Sequence, residues 1–402
     1  MLVYEYKLQG KDKQFQALEE VIRTTQFVRN KCIRYWKDNR GVNPYDLYQY
    51  CAVLAKEYDF AKKLNSQARQ AASERASSAI MRFYKNCKDK SIKKKGYPQF
   101  QKDCRSVEYK TTGWKLSDDS RRITLKDGFG AGTFRLVDKR IRTRDLSAFN
   151  REQIKRVRVV RKADGFYVQF CLDVDRKEEL APSGKTLGLD MGLSSFYTDS
   201  NGEKVECPKF LRKAEKRIKF LQRRVSRKHK GSANRKKAKN RLARKHLQVQ
   251  RQRKDFAVKA ARCVVASNDV VAFEDLAVRN MVKNHHLAKS IMDASWSLFR
   301  NYLVYYGKVY GRVTVAVPPQ YTSQDCSACG KRVKKSLSER THACSCGCIL
   351  DRDENAALNI LAKGLEQANI LITNILITNI LITNILINGT DGQSETEVMK
   401  VA

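Results

Sequence analysis

Five cysteines, Cys326, Cys329, Cys344, Cys346 and Cys348, fall in one short stretch, and no other feature restricts the local fold so tightly. Cys326-Ser-Ala-Cys329-Gly330 is a C-x2-C knuckle with glycine after its second thiol. Cys344-Ser-Cys346-Gly347-Cys348 follows fourteen residues later. Two thiol pairs at this separation make a tetrahedral thiolate site for one structural Zn²⁺, a zinc ribbon with every coordination position filled. The second pair is irregular, C-x-C in place of C-x2-C. The ligands expected are Cys326, Cys329, Cys344 and Cys346, with Cys348 able to replace one of the last two and His342 a weaker candidate. The other seven cysteines are scattered. Met1 to Lys11 lacks the charged-then-apolar order of an export signal, so a reducing cytoplasm and free thiols are expected.

The whole chain is strongly basic. Its 402 residues carry 80 Lys+Arg against 42 Asp+Glu, a net charge of +38. That exceeds any solubility requirement and implies a polyanionic partner, nucleic acid above all. A hydrophobic content of 42% excludes a wholly disordered chain. Between Arg212 and Lys254 about 20 Lys or Arg stand against one acid, Glu215. A pair of long helices broken near Gly231-Ser232 is predicted there, so basic that they need a counter-anion. The long apolar run near the C-terminus repeats Asn-Ile-Leu-Ile-Thr from Asn369. Its asparagines make poor membrane-span chemistry, so no membrane partner is expected. The repeat is β-prone and receives no function, and residues 389–402 read as disordered.

Along the chain, 2–8 alternates as a short strand. A helix follows from Asp12, its proposed N-cap, with Leu18, Val21, Ile22, Thr25 and Val28 on one face. Further helices are predicted from Pro44 to Tyr58 and from Ser66 to Tyr84, then a basic loop over 85–98. Strands dominate 99–180. Arg156 to Arg161 and Phe166 to Val174 flank Asp164-Gly165 as a hairpin, whose basic face is either an RNA surface or a solvated sheet face. Thr186 to Gly192 is a buried strand carrying Asp190, and Asp269 to Phe273 is an apolar strand ending at Glu274. A helix is predicted from Asp293 to Tyr310 with a mostly core-facing aromatic set, and Val313 to Val317 is a last strand.

Asp190 and Glu274 sit where acids are costly unless they have a role, and Asp351 and Asp353 precede a helix. In a chain this basic, clustered carboxylates point to bound cations. An Asp, a Glu and an Asp meeting at one point would hold two Mg²⁺ about 3.5–4 Å apart, the arrangement for phosphodiester cleavage. Four segments, Gly188-Leu-Asp190-Met-Gly192, Phe273-Glu274-Asp-Leu276, Tyr321 to Gly330 and Asp351-Arg-Asp353-Glu-Asn355-Ala-Ala, resemble the C-terminal half of the TnpB family. These transposon-encoded proteins are related to type V CRISPR effector nucleases. The likeness is firm over 186–366 and looser before it.

The resemblance implies a multidomain α/β protein. A β-barrel wedge over 1–11 and 99–184 surrounds a helical recognition insert over 12–98. An RNase H-like (RuvC) nuclease over 185–318 and 350–367 is interrupted by the zinc ribbon at 319–349, and a tail covers 368–402. It implies a Mg²⁺-dependent, RNA-guided DNA endonuclease with Asp190, Glu274 and Asp353 as catalytic and Mg²⁺-binding carboxylates, Asp351 being the fallback for the third. The implied partners are a guide RNA from the transposon end and target double-stranded DNA, on a chain monomeric with RNA in a prokaryotic cytoplasm at the nucleoid. Competing readings are a DNA transposase using the same carboxylates for strand transfer, a nuclease-independent RNA-guided DNA-binding regulator, and a ribosomal-type RNA binder.

Overall fold

The computed structural model describes residues 2–137, 146, 149–336 and 338–369, so the pentapeptide repeat after Asn369 and the segment expected to be disordered lie outside the described residues. The chain divides into two units, Met1–Arg176 and Lys177–Ala402.

In the first unit, β1 (Leu2–Gln9) leads into α1 (Asp12–Asp38), α2 (Pro44–Glu57), α3 (Asp59–Lys63) and α4 (Ser66–Lys88). α1 buries the predicted stripe of Leu18, Val21, Ile22, Thr25 and Val28. Its cap differs from the expectation. Lys11 is the N-cap, and the Gln14 side chain accepts the Lys11 N–H at 2.8 Å. Asp12 is instead the first helical residue, where its charge suits the helix dipole. α4 runs one turn past the predicted Tyr84, to Lys88.

Six strands follow: β2 (Ser106–Tyr109), β3 (Trp114–Leu116), β4 (Arg122–Leu125), β5 (Gly132–Val137), β6 (Ile154–Lys162) and β7 (Gly165–Leu172). With β1 they form an antiparallel sheet in the order β2-β6-β7-β1-β5-β4-β3. The two edge strands are consecutive in sequence, joined only through residues 110–113. Five Cα steps reach at most about 18 Å. A flat seven-stranded sheet would be roughly 29 Å across. The sheet therefore curls until its edges approach each other. Part of the basic face of the β6–β7 hairpin is committed internally. Arg156 and Arg158 donate to the buried Glu108 at 2.7 and 2.8 Å, with Arg75 at 3.5 Å. Burial opposes ionisation of Glu108, but these arginines hold its carboxyl below the usual range.

In the second unit, β8 (Thr186–Asp190), β9 (Ser195–Asp199) and β10 (Lys204–Glu206) precede the basic helices α5 (Phe210–Ser226) and α6 (Ala233–Ser267). Then come β11 (Val270–Glu274), α7 (Val278–Met281), α8 (His285–Ala294), α9 (Trp296–Tyr310), β12 (Val313–Val317), β13 (Thr341–Ala343) and β14 (Ile349–Asp351). A last helix, α10, covers 352–369. The sheet order is β10-β9-β8-β11-β12. β8 pairs antiparallel with β9, β9 antiparallel with β10, and β11 parallel with both β8 and β12.

Strand alternation decides which side chain faces which layer. Leu187, Leu189, Val271 and Phe273 share a core with Ala261 and Val265 of α6 and Phe299 and Leu303 of α9. On the opposite face Ala272, Val315 and Val317 pack with Ile360 and Ala368 of α10. A Cβ on Gly188 would overlap the Ala357 carbonyl oxygen, and one on Gly364 would overlap Ala272. Glycine at these two points lets α10 lie directly on β8 and β11. The helix predicted from Asp293 to Tyr310 is α9, starting three residues later at Trp296, with Asp293 in the last turn of the preceding α8. α8 ends at Ala294, and Ser295 turns the chain at φ +60. Asp293 is buried. It receives Arg253 Nη2 at 2.8 Å and the Leu211 N–H at 2.9 Å, so its charge ties the start of α5 to α6 and α8. Among the described residues no helix is long and apolar enough to cross a membrane.

Candidate active site and metal centre

Asp190 ends β8 and Glu274 ends β11. The parallel register pairs Leu189 with Phe273, and continuing it by one residue sets Asp190 beside Glu274. Both alternate onto the face covered by α10. Carboxyl ends of adjacent parallel strands are the usual location of functional groups in open α/β sheets. α10 brings Asp353 in its first turn.

Asp190 feels both of the other acids. Burial, then the charges of Glu274 and Asp353, push the Asp190 carboxyl well above the ordinary range against a weaker pull from Arg352. Among the described residues no hydrogen bond reaches the Asp190 carboxylate. Burial also raises Glu274, which is 6% exposed, while the Thr322 hydroxyl and Lys363 work the other way. Thr322 Oγ1 donates to Glu274 Oε1 at 2.7 Å. Asp353 has Arg340 at 3.6 Å.

Asp351 is occupied differently. Its carboxylate accepts the Asp353 N–H at 2.9 Å as the N-cap of α10 and takes Lys204 Nζ at 2.7 Å. Partial burial opposes ionisation, but these partners hold its carboxyl below the usual range. The expectation that oxygens of 190, 274 and 353 meet at metal-ligand spacing needs adjustment. Among the described residues, the groups of three or more His, Cys, Asp or Glu donor atoms lying within 4.8 Å of one another are both in the cysteine cluster. The donor set suits a hard divalent cation: carboxylate oxygens from the buried Glu274 and the half-buried Asp190 and Asp353, in a strongly basic chain.

In the cysteine cluster, the donor atoms of Cys326, Cys329, Cys344 and Cys346 lie within 4.8 Å of one another. Cys326 Sγ is 3.7 Å from Cys346 Sγ, and Cys329 Sγ is 3.6 Å from Cys344 Sγ. A tetrahedron of Zn–S bonds of about 2.3 Å has edges of about 3.8 Å, whereas a disulfide would be about 2.05 Å. The sulfur spacing fits zinc. Gly330 and Gly347, each directly after a knuckle's second thiol, have φ of +76 and +89. The left-handed turn lets Gly330 N–H reach the Cys326 carbonyl at 2.8 Å and Gly347 N–H the Cys344 carbonyl at 3.0 Å. C-x-C-G therefore makes a tight knuckle as C-x2-C-G does. Cys348 and the buried His342 form a second group with Cys326, and Lys335 donates to His342 Nδ1.

Residues 169–285 match a family model described as "Probable transposase", and 296–360 match "Cas12f1-like, TNB domain". The first span holds Asp190 and Glu274, and the second holds the cysteines and Asp353. A Streptomyces pristinaespiralis protein named "Putative RNA-guided DNA endonuclease" is 33% identical over 379 residues, covering 90% of this chain and 89% of its own length. "TnpB-like protein L79" of Acanthamoeba polyphaga mimivirus is 31% identical over 215 residues, 50% of this chain and 41% of its own. The chain belongs to the TnpB family. A further relative, "Putative RNA-guided DNA endonuclease InsQ" of Escherichia coli (strain K12), is 28% identical over 90% of this chain and 92% of its own. The solved "Cas12f1-sgRNA-target DNA complex" shares the fold at a TM-score of 0.56 and 16% identity, over 87% of this chain and 83% of that one.

Within this TnpB chain the sequence reading gave no role to Thr322, Arg352, Lys204 or Lys363, all of which act on the acids. Thr322 lies inside Tyr321 to Gly330, a segment that resembles the family, but a lone loop threonine carries no periodic signal. Its partner Glu274 is 48 residues away in sequence.

Proposed function

We propose that this chain is an RNA-guided DNA endonuclease of a transposon, cleaving double-stranded DNA specified by a guide RNA from the transposon end, next to a short flanking motif. The observation that carries the reading is the placement of Asp190 and Glu274 at the ends of adjacent parallel strands beneath the helix bearing Asp353, in a chain that matches a relative named for this activity over 89% of that relative's length. In this reading 1–11 and 99–184 form the wedge barrel, and the curled sheet supports it. Residues 12–98 form the recognition insert. Residues 185–318 and 350–367 form the RNase H-like nuclease, 319–349 the zinc ribbon, and 368–402 a tail. Three antiparallel strands followed by two parallel ones, β10-β9-β8-β11-β12, support the nuclease assignment. The protein is monomeric with its RNA and acts on nucleoid DNA.

Asp190, Glu274 and Asp353 would hold Mg²⁺, and Cys326, Cys329, Cys344 and Cys346 would hold structural Zn²⁺. When bound, paired Mg²⁺ supplies water activation and stabilisation of the leaving oxygen. The chain supplies the rest. β8 and β11 fix two acids against α10, and the Asp351 cap orients the first turn that carries Asp353. The test is purification with nucleic acid retained, followed by plasmid cleavage. Cutting that requires Mg²⁺, follows the sequence of the co-purified RNA and stops when that RNA is removed supports the proposal. Strand transfer without RNA would favour the transposase instead.

The basic helices α5 and α6 support a phosphate-backbone contact. Arg224 and Lys228 of the α5 end face Lys237 and Arg241 of α6 across a cleft of about 180 Å³. Replacing these four residues by glutamine should lower the slope of log affinity against log salt by about 3, since each lost phosphate contact removes roughly 0.7–0.9. Salt-dependent binding measurements read this directly, and an unchanged slope would free these helices from the nucleic-acid interface.

A further inference from the structure

We infer that Thr322 is a positioning residue that fixes the Glu274 carboxylate for cation binding, and that the cysteine knuckle and α10 jointly hold Thr322 in place. The inference rests on the proposed role of Glu274.

Thr322 is 4% exposed, and its hydroxyl donates to Glu274 Oε1 at 2.7 Å. A buried carboxylate with one oxygen held this way loses its rotational freedom about the terminal torsion. No hydrogen bond from the described residues reaches Oε2, which is left for a cation. Outer partners of this kind orient metal-binding carboxylates.

Thr322 is itself held from two sides. After Pro318-Pro319 the chain passes through Tyr321 in the left-handed region, φ +65. A residue with a β-carbon is strained there and persists only where the surroundings impose it. They do so here. Arg332 lies 3.4 Å over the Tyr321 ring and pairs with Asp325 at 2.9 Å, while the Asp325 N–H donates to the Tyr321 carbonyl at 2.9 Å. From the other side, Asn359 Nδ2 on α10 donates to the Thr322 carbonyl at 2.9 Å and the Asp325 carbonyl at 2.7 Å. One turn earlier, the buried Asn355 donates to the same Asp325 carbonyl at 2.8 Å and accepts the Ser327 N–H, next to Cys326, at 3.0 Å. Two asparagines at i and i+4 on the Asp353 helix thus clamp the segment that runs from Thr322 into the knuckle.

The test compares Thr322→Val, which keeps the shape and removes the donor, with Thr322→Ser, which keeps the donor. Both are purified with RNA, and zinc content is measured. The readouts are the Mn²⁺ dissociation constant by calorimetry and the Mg²⁺ concentration for half-maximal cleavage. Thr322→Val should raise both about 10–100-fold, with Thr322→Ser close to wild type and zinc content and target-DNA binding unchanged. Thr322→Ala serves if the valine variant fails to fold. Wild-type Mn²⁺ affinity in the donor-less variant, or a serine variant as weak as valine, overturns the inference. Glu274→Ala separates the two layers. Normal cleavage by Glu274→Ala removes the role of Glu274 itself. An inactive Glu274→Ala beside a Thr322→Val that binds Mn²⁺ normally removes only the role of Thr322.

Discussion

Replacing Asp190 by asparagine should reduce cleavage by about 10³-fold or more while leaving RNA and target binding intact, and should stabilise the metal-free protein at alkaline pH. The first effect follows from charge. A loss of about 4 kcal/mol of transition-state stabilisation is a factor of 10³, within the several kcal/mol expected of cation-mediated charge stabilisation. The second follows from the upward shifts of Asp190 and Glu274, both caused first by burial and, for Asp190, next by its acidic neighbours. Below the unfolded carboxylate values, near pH 4, folded and unfolded chains are protonated alike and the site costs nothing. As pH rises through the raised folded values, the unfolded chain ionises more readily and stability is lost. Asparagine at 190 removes one ionisable member of the group. Thermal melts in chelator should show a gain of about 3 °C or more at pH 8 that vanishes near pH 4. A variant that cuts at the wild-type rate, or that melts below wild type at pH 8, would remove Asp190 from the active site.

Much of this site was readable because it depends on local pattern. An aspartate inside Thr186 to Gly192 and a glutamate closing Val270 to Phe273 break apolar runs. Strand alternation then fixes their face. The knuckles were readable because thiol spacing is set by a few residues of backbone. What could not be read is non-local. Arg156 and Arg158 look like a free basic face until Glu108 arrives on another strand. Asp293 looks like a helix start, yet its buried charge answers Arg253 and the first turn of α5. The family likeness ranks Asp353 above Asp351 without a physical reason. The Lys204 contact and the cap of α10 supply one, by committing Asp351 to structure. The close seating of α10 rests on Gly188 and Gly364, whose lack of side chains has meaning only once Ala357 and Ala272 are opposite them.

Cys326→Ser should eliminate bound zinc and lower cleavage at saturating Mg²⁺ by at least 10-fold, an effect as much mechanical as chemical. Cys326 belongs to both donor groups of the cluster, so its loss takes a ligand from each. Zinc binding contributes folding free energy directly at such sites, and its loss frees the knuckle. The knuckle is tied through the Ser327 N–H to Asn355, and Asn355 and Asn359 hold the Asp325 carbonyl and, with it, the Thr322 segment. Release of the metal should therefore reach Glu274 through Thr322 and Asp353 through the start of α10, although neither acid binds zinc. The paired variants Cys346→Ser and Cys348→Ser separate the two donor groups. With sulfur pairs at 3.7 and 3.6 Å joining Cys326 to Cys346 and Cys329 to Cys344, Cys348→Ser should keep about one zinc per chain and Cys346→Ser should lose it. Elemental analysis of the purified variants reads the outcome. The reverse pattern would move the fourth ligand to Cys348. Full cleavage by a zinc-free Cys326→Ser protein would break the mechanical link between knuckle and acids.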